Sequence, residues 1–115
     1  MANREFLPVS HVIVLTTMPD LASAQQMANE LIEQSLAACV NILPEMRSIY
    51  RWKDEIQQGT EHQLIIKTCA SEYENVENWI KNKHPYELPE ILAVPIQRGL
   101  EDYLGWVRDN CGNTE

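Results

Sequence analysis

Apolar and polar positions alternate between two periods along the chain, and the switches mark its elements. HVIVLTT (11–17) is dense and β-branched, which predicts a buried strand. Pro19 and Asp20 open a helix, with Asp20 placed as N-cap or first-turn acid. Leu21, Ala24, Met27, Ala28, Leu31 and Ile32 recur at helical spacing, while Gln25, Gln26, Asn29, Glu30 and Glu33 fill the outer face. ACVNIL (38–43) predicts a second strand, interrupted by Pro44. MRSIYRWKDE (46–55) alternates: Met46, Ser48, Tyr50 and Trp52 share one side, and Arg47, Ile49, Arg51 and Lys53 the other. QQG (57–59) reads as a turn and EHQLIIKTCA (61–70) as the returning strand, giving a long hairpin.

SEYE (71–74) has the form of a capping box, with Ser71 as N-cap and Glu74 at N3. The helix after it turns Val76, Trp79, Ile80 and Tyr73 inward. It stops near Lys83, because Pro85 disfavours helical dihedrals at His84. EILAVPI (90–96) is the last strand, and Pro95 within it suits an edge or a bulge. LEDYLGWVRDN (100–110) closes with a helix whose inward face is Leu100, Tyr103, Leu104 and Val107. The order predicts an α+β fold: a ferredoxin-like βαββαβ sandwich with an extra C-terminal helix, one domain over 1–115 with its core about 11–110. In the 4-1-3-2 strand order of that fold, the end of strand 1, the start of strand 4 and the hairpin tip share one end of the sheet. An exposed edge with aromatics invites pairing to another chain, so self-association through the hairpin and the strand-4 edge is expected.

Composition narrows the function. The 115 residues carry 17 Asp and Glu against 9 Lys and Arg, a net charge of −8. That balance argues against a general nucleic-acid binder and against docking on anionic lipid. Three cysteines, Cys39, Cys69 and Cys111, make an odd number without a C-x-x-C pair. They read as core residues in a reducing compartment, with neither a disulfide framework nor a thiolate zinc site. Trp79 and Trp106, at helical packing positions, read as core too. His11 and His62 have no partner spacing and read as capping or solvent-facing. VIVLTTM is too short for a membrane span and lacks a signal-peptide cleavage pattern, so a cytoplasmic protein is expected.

KHPYELPE (83–90) concentrates the candidate chemistry. Pro85 restricts His84 and Pro89 restricts Leu88, so the polar side chains between them are held in place. Such stiffness suits a binding rim. It equally suits a helix-to-strand turn with Tyr86 on an interface and Glu90 paired to Lys67. Tyr50, Trp52, Lys67, Tyr86 and Glu90 are the candidate lining of an intersubunit cleft, where an aromatic wall, a cation and a carboxylate would take a small polar ligand. Tyr50 and Trp52 serve equally as interface core. Glu61 is a further candidate for the cluster, or a solvated strand residue.

VIVLTTMPD, LAACVNILP, SIYRWKDEIQ, IIKT, HPYELPEILAVPI and YLGWV together resemble the CutA family of divalent-cation-tolerance proteins, in family order from about Val12 to Val107. The resemblance implies a ferredoxin-like fold, a tight homotrimer, a shape like the PII signalling proteins, and a link to copper tolerance with copper(II), or another divalent cation, as ligand. In a bacterial version of the family, Cys stands where this chain has Thr16, and two histidines stand at Lys83 and His84. His84 is therefore the one surviving candidate metal ligand of that set. It serves as a copper donor helped by Glu87 or Glu90, or as a structural or small-molecule-site histidine. The alternative function is a PII-like small-molecule sensor or scaffold for a protein client. A non-enzymatic protein is expected, since no nucleophile with base and orienting acid is visible. TTMPDLAS lacks the Gly and Arg of an acylphosphatase loop, and EHQLIIKTCA lacks the aromatics on which an RNA-recognition strand stacks bases.

Overall fold

A computed structural model describes residues 9–112. The chain runs β1 (His11–Met18), α1 (Leu21–Glu33), β2 (Cys39–Ile42), β3 (Met46–Trp52), β4 (Glu55–Cys69), α2 (Tyr73–Lys83), β5 (Leu92–Pro95) and α3 (Glu101–Asp109). All strand pairs are antiparallel, in the order β2-β4-β1-β5, and β3 continues the β2 side by pairing with the outer half of β4. With β2 and β3 read as one strand broken at Pro44, this is the α+β ferredoxin-like order.

Alternation divides the sheet into two faces. Val12, Val14, Thr16 and Met18 of β1 and Leu64, Ile66 and Thr68 of β4 are buried on one face. Ala24, Met27 and Leu31 of α1 and Val76 and Ile80 of α2 close the core over them. The other face, called here the open face, carries half-buried Ile13, Leu15 and Ile65 and exposed Leu92 and Val94 in its middle. Among the described residues β5 pairs only with β1, and since the Ile96 N–H donates to the His11 carbonyl, the Pro95 nitrogen faces the free edge.

Local stop and start signals act as the sequence predicts at two places. The Asp20 carboxylate accepts the Ser23 backbone N–H at 2.7 Å and caps α1. His84 leaves the helix with an extended backbone, φ −75 and ψ 140, one residue before Pro85. At five places the structure departs from the expectation. The hairpin turn is Lys53–Asp54, with φ of 52 and 67, and Gln57, Gln58 and Gly59 lie inside a 15-residue β4. A two-residue loop of left-handed residues matches the strand twist. Asp tolerates that conformation, and Gly59 pairs with Ser48 in the ladder.

The capping box at Ser71 does not form. A 3₁₀ turn over Ala70–Glu72 runs straight into α2, and Glu72 already has helical dihedrals without a side-chain cap. On α3, Val107 is buried, but Leu100 is 74% exposed and Trp106 44% exposed. Leu100 is the extended N-cap residue rather than part of the helix, and Trp106 lies outside stacked near Tyr103, with ring centres 5.5 Å apart. Finally, Cys69 and Cys111 form a disulfide, their Cα atoms 6.6 Å apart, while Cys39 is free. The fold returns the residue after α3 to the end of β4, a meeting that cysteine spacing does not disclose. His11, expected to cap or face solvent, is buried beneath α3, its Nε2 2.9 Å from the Leu104 carbonyl.

Candidate functional site

Glu61 organises one end of the open face. The register places Met46 opposite Glu61 and Ser48 opposite Gly59, so Ser48 stands diagonal to Glu61 on one side of the hairpin. Thr17 lies opposite Gln63 on the neighbouring strand. The Ser48 hydroxyl donates to Glu61 Oε1 at 2.6 Å, and the Thr17 hydroxyl donates to Oε2 at 3.0 Å. The Tyr86 hydroxyl, from the loop between α2 and β5, donates to the same Oε2 at 2.8 Å. One carboxylate thus ties together the end of β1, the base of the hairpin and the proline-braced loop.

The charge state follows from these contacts. Burial pushes the Glu61 carboxyl up, but the hydrogen bonds from Ser48, Tyr86 and Thr17, with His84 nearby, outweigh it and hold the group below its ordinary value of 4.5. Tyr86 moves the other way. Burial, then the hydrogen bond to Glu61 and its negative charge, raise the phenol well above 10, with Tyr50 and Asp20 close enough to add to the effect. The pair therefore stays as carboxylate and phenol over the whole physiological range.

His84 is locked beside it. Its Nε2 lies 2.7 Å from the Thr17 carbonyl, so Nε2–H donates there, and its Nδ1 accepts the Tyr86 backbone N–H at 3.0 Å. The Tyr86 ring lies 4.7 Å away, centre to centre. Both nitrogens are in use, and no lone pair is left for a metal ion. Thr16 is fully buried on the helix-covered face, with no hydrogen-bond partner for its hydroxyl. Among the described residues, no group of three or more His, Cys, Asp or Glu side chains is arranged to hold a metal ion. A donor set for copper(II) does not fit within one protomer at this position.

The remaining cleft residues divide between the two ends of the open face. Glu90 joins the Glu61 end: Gln63 Nε2 donates to its carboxylate at 3.3 Å and to the Thr16 carbonyl at 2.8 Å. Tyr50, 49% exposed, lies near Tyr86. Trp52 sits further out at the hairpin turn, opposite Glu55, with Lys53 Nζ 5.8 Å from its ring centre. Lys67 is at the far end, six residues along β4 from Glu61, a separation of about 20 Å. There its Nζ reaches the Tyr103 hydroxyl at 3.5 Å and lies 5.7 Å from the ring centre. Within one protomer Lys67 does not pair with Glu90. The sequence pattern offers Glu61 only as a further candidate and gives no signal that singles out Thr17, Ser48 or Gln63 for the site. The usable signal was the hairpin register: a turn at 57–59 pairs Glu61 with Glu55, whereas one at 53–54 brings Ser48 beside it.

Comparison with known proteins decides the lineage. The family model described as CutA1 divalent ion tolerance protein matches residues 12–110. The chain belongs to the CutA family. The divalent-cation tolerance protein CutA of Thermus thermophilus is 43% identical over 100 residues, covering 87% of this chain and 97% of that protein. The crystal structure of CutA1 from Oryza sativa superposes with a TM-score of 0.88 at 35% identity, covering 92% of this chain and 97% of that one. The protein described as the periplasmic divalent cation tolerance protein CutA of Archaeoglobus fulgidus gives a TM-score of 0.82 at 38% identity, over 84% of this chain and 94% of that one. Among the described residues of this CutA chain, no helix is long and apolar enough to cross a membrane.

Proposed function

We propose that this CutA chain is a non-enzymatic protein of divalent-cation tolerance that acts as a cytoplasmic homotrimer, each copy a single domain. The observation that carries the proposal is the apolar surface left uncovered on one copy. Leu92 (55%), Val94 (44%), Ile49 (65%), Ile56 (68%) and Leu88 (70%) are exposed along the open face, the hairpin and the rim loop. Surfaces of this kind, beside free strand edges, mark association sites. Joining copies would also resolve the division of the site. Tyr50, Tyr86 and Glu90 at the Glu61 end of one copy would meet Trp52 or Lys67 of the next, completing an intersubunit cleft. Sedimentation equilibrium tests the assembly: wild type should sediment as a trimer at micromolar concentration, and Leu92→Glu should dissociate it. A monomeric wild type rejects the reading.

A divalent cation such as copper(II) would bind in that cleft through carboxylates at the rim, Glu87 and Glu90, together with donors from a neighbouring copy. His84 would hold the rim rather than supply the first donor. Calorimetric titration with copper(II) separates the roles. Glu90→Gln should weaken any one-per-subunit isotherm, whereas loss of that isotherm in His84→Ala alone would restore the histidine as a direct ligand.

The second reading is a PII-like small-molecule sensor or client scaffold. It is favoured by a cluster already fixed by hydrogen bonds before any ligand arrives. A thermal-shift screen of metabolites against the trimer tests it, and a panel without a stabilising compound removes its basis.

A further inference from the structure

We propose that Cys69 and Cys111 are a redox-responsive pair whose oxidation latches α3 onto the open face. Within one copy, little else holds the helix. α3 has nine residues, too few to be stable alone, and within it only Val107 is buried. Leu100, Tyr103 and Trp106 are all more than 40% exposed. Among the described residues its remaining ties are polar and few: His11 Nε2 to the Leu104 carbonyl, Lys67 to the Tyr103 hydroxyl at the limit of hydrogen-bond distance, and the Gly112 N–H to the Ser35 carbonyl. Cys111, immediately beyond the helix, is 3% exposed, and its Cα lies 6.6 Å from that of Cys69, within the usual disulfide span. The bond closes a sequence separation of 42 residues, so breaking it returns considerable freedom to the segment carrying α3.

The chemistry needs a low-molecular-weight disulfide as oxidant. The thiolate of Cys69, the more exposed of the two, attacks it, forms a mixed disulfide and releases one small thiol. The Cys111 thiolate then attacks the Cys69 sulfur and expels the second. The protein's two thiols lose two protons and two electrons in all, and the small disulfide becomes two thiols. Reduction by an excess of small thiol runs the same steps backward. In a thiol-buffered compartment the ratio of small disulfide to small thiol would then set how firmly α3 covers the end of the open face that holds Lys67.

Trypsin sensitivity at Arg108, exposed on α3, reads the latch, with cleavage followed by mass spectrometry after quenching and reduction. In the oxidised chain, only Cys39 should take an alkylating label under denaturing conditions, and a Cys69–Cys111 peptide should be recovered. Reduction should speed cleavage at Arg108 at least about tenfold, because local opening of the helix limits the protease. Cys111→Ser should cleave at the reduced rate in either buffer, and Cys39→Ser should keep the full redox response. Equal rates in oxidised and reduced wild type overturn the proposal, as does labelling of all three cysteines after incubation with the small disulfide. Should Cys111→Ser fail to fold, wild type in the two buffers still decides the matter.

Discussion

The two ends of the open face are built on opposite principles. At the Glu61 end, one carboxylate collects three hydroxyl donors from three separate segments, and two prolines limit what the loop can do. At the α3 end, a lysine rests on an exposed tyrosine ring, one histidine reaches one carbonyl, and a disulfide ties Cys111 to Cys69. Converging charge-assisted hydrogen bonds fix side chains at the first end, so its surface is held in one arrangement. The second end has fewer such bonds and carries a covalent bond that a reductant can break. The lesson is that residues sharing a face and a strand need not share a function: Lys67 and Glu61 are both on β4 but belong to different devices.

The largest expected contrast comes from deleting the polar anchor at each end. Glu61→Ala strands three hydroxyls and should cost about 2 kcal/mol, a figure kept at the low side because the site is only half-buried. Lys67→Ala removes a cation–ring contact at an exposed site and should cost no more than about 0.5 kcal/mol. Urea unfolding at matched protein concentration checks both values. At about 20 Å apart, the double variant should be additive within about 0.5 kcal/mol. A larger coupling would mean that the two ends are one cluster after all.

Acid should loosen the Glu61 end by protonating its anchor. Glu61 has a folded-state value below its ordinary 4.5, so its stabilising contribution is complete above that pH and is lost as pH falls through the lowered value. Glu61→Gln keeps an acceptor but not the charge. The stability difference between wild type and Glu61→Gln should therefore be constant near neutrality and shrink below pH 4.5. A difference that stays flat down to acid unfolding contradicts the anchoring role. Tyr86→Phe tests the same carboxylate from the other side of the contact. It should cost about 1 kcal/mol, and it should let the Glu61 carboxyl titrate nearer to 4.5, as followed by NMR. Without that upward movement, the phenol is packing the loop rather than holding the charge.

How far the sequence disclosed this depended on the range of each signal. The Asp20 cap and the stop before Pro85 need only neighbouring residues, and both were legible. The strand order was legible too, since periodicity changes and short connections leave few arrangements. The Lys53–Asp54 turn lacks the Gly or Asn that would announce it, and Gly59 drew the turn to the wrong place. That error hid the Glu61 site, because register alone sets Ser48 beside Glu61. The Cys69–Cys111 pair was illegible for a related reason: nothing local says that the chain after α3 returns to the end of β4. His84 stands out as a histidine beside a proline, but the partners of its two nitrogens, the Thr17 carbonyl and the Tyr86 N–H, are set by the fold.

One expected effect at the Glu61 end has the opposite sign. Thr16 lies under the Glu61 end on the covered face, fully buried, with its hydroxyl making no hydrogen bond. Its backbone carbonyl, by contrast, is held by Gln63. A buried hydroxyl without a partner carries a desolvation cost that a methyl group of similar size does not. Thr16→Val should therefore leave the Glu61 cluster intact and raise stability by up to about 1 kcal/mol in urea unfolding. The Glu61 carboxyl should titrate unchanged by NMR, because Thr16 and Thr17 point to opposite faces of β1. A loss of stability instead would mean that the hydroxyl has a partner in solution. The rigidity of this end would then extend through the sheet to the helix side, and the contrast between the two ends would be larger than the open face alone suggests.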